Sequence, residues 1–127
     1  DLPGYGYAKV PAEIRRHWDR LLQRYLSERK TLRGLFIIMD IRHPLTTLDK
    51  QLLEWCEYAD LSSHILLTKS DKLSFGACSK TLRDVQHVLK NHYPRASVQL
   101  FSALRQIGVK EAHAQLDKWL YDDCFDQ

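Results

Sequence analysis

The chain has 127 residues, enough for one domain with a modest core. Its residues are 44% hydrophobic and 28% charged, an ordinary globular balance, and a formal net charge of +3 permits a nucleic-acid partner without demanding one. No apolar run approaches the roughly 20 residues that span a membrane, no signal peptide is visible, and three widely spaced cysteines, Cys56, Cys78 and Cys124, argue for free thiols in a reducing compartment, by default the cytoplasm, over a disulfide framework or zinc knuckle.

Ile14, Trp18, Leu21, Leu22, Tyr25 and Leu26 recur at helical spacing, which predicts an amphipathic helix over about 11–30, with Pro11 suited to its first turn. Residues 34–40 are a continuous apolar run ending in Asp40, the pattern of a strand buried on both faces. Thr46 and Asp49 fit a capping box before Leu48, Leu52, Trp55, Cys56 and Ala59, a second helix. Residues 63–68 form another short apolar run and a second strand. Cys78, Leu82, Val85 and Leu89 mark a helix that closes near Tyr93-Pro94, residues 96–101 read as a third strand, and Val109, Ala112, Leu116, Trp119 and Leu120 mark a last helix. Strands alternating with helices predict an α/β fold with a mostly parallel sheet covered on both faces. Ligands of such sheets bind at the carboxyl ends of the strands, which singles out the loops after Asp40, after Leu67 and after Phe101.

Two of those loops carry chemistry. In Thr68-Lys69-Ser70-Asp71, the Asp71 carboxylate suits the edge of guanine, which offers two donors that one carboxylate accepts together. Lys69 would lay its stem along the base plane, and Thr68 would tie the loop to a neighbouring segment through its hydroxyl. A strand-ending turn with solvated charges is the alternative. In Ser102-Ala103-Leu104, a small residue at 103 lets its backbone N–H approach the guanine carbonyl oxygen. The tripeptide says little alone and more when paired with the earlier loop one strand before it. At the start of the chain, Asp1-Leu2-Pro3-Gly4 places an acid that would hold the water shell of a phosphate-bound magnesium ion, and a glycine whose N–H would reach a terminal phosphate; a Pro-Gly turn is the alternative. Because the first residue already belongs to a motif and is not Met, the chain reads as the C-terminal part of a longer protein.

Arg15, Arg16, Arg20 and Arg24 crowd the first predicted helix, and Arg42 follows the first predicted strand. They are candidate RNA contacts through phosphate, with a solvated helix face as the alternative. The six histidines show no metal-ligand spacing, and Trp18, Trp55 and Trp119 fall on apolar stripes suited to the core.

Four phrases make a resemblance specific: Asp-Leu-Pro-Gly-Tyr-Gly-Tyr-Ala at 1–8, Met-Asp-Ile-Arg-His-Pro-Leu at 39–45, Leu-Leu-Thr-Lys-Ser-Asp-Lys-Leu at 66–73 and Phe-Ser-Ala-Leu at 101–104. Over nearly its whole length the chain resembles the EngB/YihA/YsxC family of bacterial ribosome-biogenesis GTPases, and the first two phrases separate it from Ras-like or Era-like relatives. The resemblance implies a three-layer P-loop GTPase (Ras-like) fold, with residues 1–127 the C-terminal part of a single GTPase domain. It implies GTP/GDP and Mg2+ as ligands and hydrolysis of GTP to GDP and phosphate by the parent protein. It also implies a role in assembling the large ribosomal subunit, with its precursor and ribosomal RNA as partners, and in normal cell division and growth.

Carried over by position, Asp1 and Gly4 match the third GTPase motif, with Asp1 meeting the metal through water. Thr68, Lys69 and Asp71 match the base-specificity motif, with Thr68 where many GTPases have Asn. Ser102 and Ala103 match the last motif. The glycine-rich phosphate loop has no counterpart in the 127 residues, so this stretch alone is expected to bind GTP weakly and not to hydrolyse it. Tyr5 stands where Ras-like proteins orient the attacking water with Gln, and a phenol is no amide, so no catalytic residue is assigned. The competing expectation, of a different class, is an RNA- or ribosome-binding module with a vestigial nucleotide site. The oligomeric state stays open.

Overall fold

The computed structural model describes residues 33–125 together with Arg16, Arg20 and Arg24. These three arginines are helical and exposed, and their four-residue spacing puts them on one helix face. The rest of the helix expected over 11–30, including Arg15, lies outside the described residues, as do Asp1 and Gly4.

Three strands, β1 (Gly34–Asp40), β2 (Ser62–Thr68) and β3 (Ala96–Leu100), form a parallel sheet in the order β1-β2-β3. Between them run α1 (Thr47–Tyr58) and α2 (Phe75–His92), and α3 (Val109–Phe125) follows β3. Parallel neighbours need such crossovers, because a two-residue hairpin cannot return the chain to the same end of the sheet.

Local chemistry fixes the ends of the helices. Thr46 Oγ1 accepts from the Asp49 backbone N–H at 3.2 Å while an Asp49 carboxylate oxygen accepts from the Thr46 N–H at 3.0 Å, so the capping box expected from the sequence is complete. Ser74 caps α2 by accepting from the Ala77 N–H at 3.2 Å. The Cys78 thiol, one turn into α2, donates to the Ser70 carbonyl at 3.2 Å and pins that helix to the loop after β2.

The core lies on one face of the sheet. Ile37 and Met39 of β1 and Ile65 and Leu67 of β2 pack with Leu52, Leu53 and Cys56 of α1 and Cys78, Val85 and Leu89 of α2. Burial pushes the Cys56 thiol up to about 12, with the neighbouring Glu57 charge adding to the shift, so Cys56 behaves as an apolar core residue at neutral pH.

On the other face Trp119 of α3 meets Phe36, ring centroids 5.1 Å apart, and lies across Gly34, where any side chain would collide with the indole. The sequence predicts β1 buried on both faces. Among the described residues only the core face is fully buried, at Ile37 and Met39; on the other face Gly34 and Phe36 are half-buried under Trp119 and Ile38 is 56% exposed. Trp119 reaches Gly34 and Phe36 near the beginning of the strand, and Ile38 lies beyond its contact. β2, flanked on both sides, is buried from Ser63 to Leu67 as expected.

Candidate functional site

Register brings the strand ends together. Asp40 pairs with Thr68 across β1 and β2, and Leu67 with Leu100 across β2 and β3, so the three loops that follow leave the sheet at one level. Two further bonds extend the contact beyond the last strand: the Ser70 N–H donates to the Phe101 carbonyl at 3.1 Å, and the Phe101 N–H to the Leu67 carbonyl at 2.9 Å.

Thr68 ties its loop to the neighbouring strand as its residue type suggests: its hydroxyl donates to the Met39 carbonyl at 3.1 Å. Lys69 then takes a left-handed backbone, φ 60°, an uncommon conformation for a residue with a Cβ. That turn directs Lys69 Nζ to Asp40, 3.4 Å away. Asp71 follows in a single turn of 3₁₀ helix (Ser70–Lys72). Its Oδ1 accepts from the Ser102 hydroxyl at 2.7 Å, which joins the two loops that the sequence singles out. This bond is the main reason the Asp71 carboxyl is held below the ordinary carboxylate range, so Asp71 stays ionised near neutrality. Ser102 in turn accepts from the Arg105 N–H at 3.1 Å, and an antiparallel bridge between Ser102 and Ile107 closes the loop. Ala103 and Leu104 are exposed at its tip, with Leu104 at 74%.

Two participants are absent from the sequence-based site. Asp40 is gripped by Arg42, which donates from Nε to Oδ1 at 3.0 Å and from Nη2 to Oδ2 at 2.7 Å, while the Arg42 N–H donates to Oδ1 at 2.9 Å. Arg42 thus faces Asp40 and not only solvent, and it also feels the Asp71 charge. The signal for Asp40 was present: an acid ending a buried strand at the sheet's carboxyl edge. The second participant is Gln99, a polar residue inside an apolar strand and 1% exposed.

The Arg42 side-chain hydrogen bonds, its backbone N–H and Lys69 together hold the Asp40 carboxyl well below the usual carboxylate range, against the opposing effect of burial. A depressed carboxyl contributes stability above its unfolded value, about 3.9, and loses it as the pH falls further. Both partners are substantially exposed, 43% for Arg42 and 57% for Lys69, so the contribution is about 1 kcal/mol or less. Asp40→Asn is therefore expected to be slightly less stable than the parent at pH 7, with a gap that begins to narrow below about pH 4 and closes only as the pH falls through the depressed folded value. Urea midpoints at pH 7, 5 and 3 check this; a constant gap would contradict it.

Among the described residues no group of three or more His, Cys, Asp or Glu side chains is arranged to hold a metal ion, and no helix is long and apolar enough to cross a membrane.

A parallel sheet with loops converging at its carboxyl edge is common to open α/β folds, and among these the superpositions that follow match the P-loop GTPase fold. The chain superposes on translation elongation factor SelB from Methanococcus maripaludis in its apo form with a TM-score of 0.67, at 17% identity, over 90% of this chain and 25% of that one. It superposes on the same factor in complex with the GTP analogue GppNHp with a TM-score of 0.63, at 20% identity, over 80% and 23%. No protein-family model matches the chain. Its sequence is 50% identical over 121 residues to the probable GTP-binding protein EngB of Methylobacillus flagellatus, covering 95% of this chain and 58% of that protein. It is 52% identical over 120 residues to the EngB of Thiobacillus denitrificans, covering 94% and 58%. The chain belongs to the EngB family and spans somewhat more than half the length of these relatives.

Proposed function

We propose that this chain is the base-reading portion of a guanine-nucleotide-binding domain, the C-terminal part of a GTPase that acts in assembly of the large ribosomal subunit in the cytoplasm, with an attendant role in cell division and growth. The observation that carries the nucleotide reading is the Ser102–Asp71 hydrogen bond. It uses one lone pair of Oδ1 and leaves Oδ2 and the remaining lone pair of Oδ1 to accept the two donors of a guanine edge. Ala103 stands exposed beside it, where a backbone N–H can meet the guanine carbonyl, and Lys69 borders the same opening. Thr68 supports the site from below without touching the base.

Magnesium enters this reading through Asp1, and the terminal phosphate through Gly4. Both lie outside the described residues. Ribosomal RNA and the large-subunit precursor enter through Arg16, Arg20 and Arg24, whose exposed helical face presents three positive charges in a row, with Arg15 beside them in sequence. Arg42 belongs with these as a phosphate contact only to the extent that a partner competes with Asp40 for its guanidinium. That arginine face also favours the second reading, an RNA- or ribosome-binding module with a vestigial nucleotide site. Calorimetry of this chain with GDP and magnesium, against ADP and magnesium, separates the two. Micromolar GDP binding sinks the vestigial reading; no selectivity for GDP in the full-length protein sinks the guanine reading.

A further inference from the structure

A chain of buried polar contacts runs beneath the loop after β3. The Gln99 side-chain amide lies between two carbonyl oxygens, with Nε2 donating to Leu100 at 3.0 Å and to Gly108 at 2.7 Å. Those two acceptors fix which end of the amide is nitrogen, so Oε1 must accept. Its partner is His64 Nε2 at 2.7 Å. His64 Nε2 therefore carries hydrogen, and in the neutral ring Nδ1 accepts from the Ser97 hydroxyl at 2.6 Å. Both members of the central pair are inaccessible, with His64 at 4% and Gln99 at 1% exposure, and the Phe36 ring stands edge-on to the imidazole.

Leu100 O belongs to the end of β3, and Gly108 O to the residue that opens α3. The loop 101–107 leaves one and arrives at the other, so a single amide fastens both of its feet. The Ser102–Ile107 bridge sits directly above this clamp. An apolar strand residue at 99 would leave two carbonyls without that donor, a cost protein interiors avoid.

We propose that Gln99, oriented by His64, is a positioning residue for the guanine-reading loop: it sets the height at which the Ala103 N–H meets the base carbonyl. This rests on the guanine reading above. Gln99 touches no ligand; its effect passes through the loop's two ends.

Gln99→Met keeps the length of the side chain and removes both donors. In the full-length protein, GDP is compared with 6-thioguanosine diphosphate, whose sulfur is a poor acceptor at the carbonyl position while the other two edge donors remain. The parent is expected to prefer GDP, and Gln99→Met to lose about tenfold of that preference by weakening GDP alone. Amide hydrogen exchange at Ser102 and Ile107 should quicken while Phe101, bonded to the Leu67 carbonyl, keeps its rate. Equal weakening of both nucleotides, or an unchanged ratio with unchanged exchange, overturns the proposal. If Gln99→Met does not fold, Gln99→Glu keeps volume and the acceptor for His64 but cannot donate to both carbonyls, and the same outcomes apply to it. Should the parent show no preference for GDP over ADP, the guanine reading fails, and the exchange rates alone still decide whether Gln99 holds the loop.

Discussion

Replacing Asp71 by Asn in the full-length protein is expected to cost about two orders of magnitude in GTP affinity and to raise affinity for xanthosine triphosphate. The carboxylate is acceptor-only, and charge-assisted bonds of this kind contribute about 1.5–3 kcal/mol each. Asn keeps one acceptor and turns the other position into a donor, which then opposes a guanine donor and suits the carbonyl that xanthine carries there. The fold should survive, because the Asn oxygen can still accept from the Ser102 hydroxyl that now bonds Asp71 Oδ1. Competition binding with GTP, ATP and xanthosine triphosphate measures the change. Full retention of GTP preference in Asp71→Asn would show that the base is read elsewhere.

Asp71, Ser102 and Thr68 were legible because each follows a run of apolar residues, and parallel sheets gather such positions at one edge whatever the detailed packing. The alternation of periods placed all three strands and the helices between them, and the Thr46–Asp49 pair marked the start of α1 to the residue. What was hidden depended on register. His64 and Gln99 are 35 residues apart and meet because His64 lies opposite Ser97 in the β2–β3 pairing, with Gln99 two residues further along the same face. Asp40 and Lys69 meet because β1 and β2 end level. No local pattern encodes either adjacency. Ile38 fails for a related reason: an apolar run states that a strand can be buried on both faces, while actual burial depends on where the covering helix crosses.

Gly108→Ala tests whether the loop has any freedom at its second foot, and a loss of about 2–4 kcal/mol in unfolding free energy is expected. Two effects add. Gly108 has φ 78°, and a residue with a Cβ pays roughly 1–2 kcal/mol for the left-handed region. The Cβ would also collide with the Leu100 carbonyl oxygen and come within 2.5 Å of Gln99 Nε2. The oxygen is backbone and cannot swing aside, so the strand end or the loop must move, and the Gln99 amide then loses one of its two carbonyls. Gly76→Ala in the first turn of α2 is the matched control. A Cβ there meets nothing within 4 Å, and with a helical backbone the change should be neutral or stabilising by up to about 1 kcal/mol. Urea unfolding of both variants separates position from residue type. Opposite signs would place the strain at the Gly108 backbone, and a Gly108→Ala loss below about 0.5 kcal/mol would mean that the loop shifts freely and that its height above the base is set by something other than the Gln99 clamp.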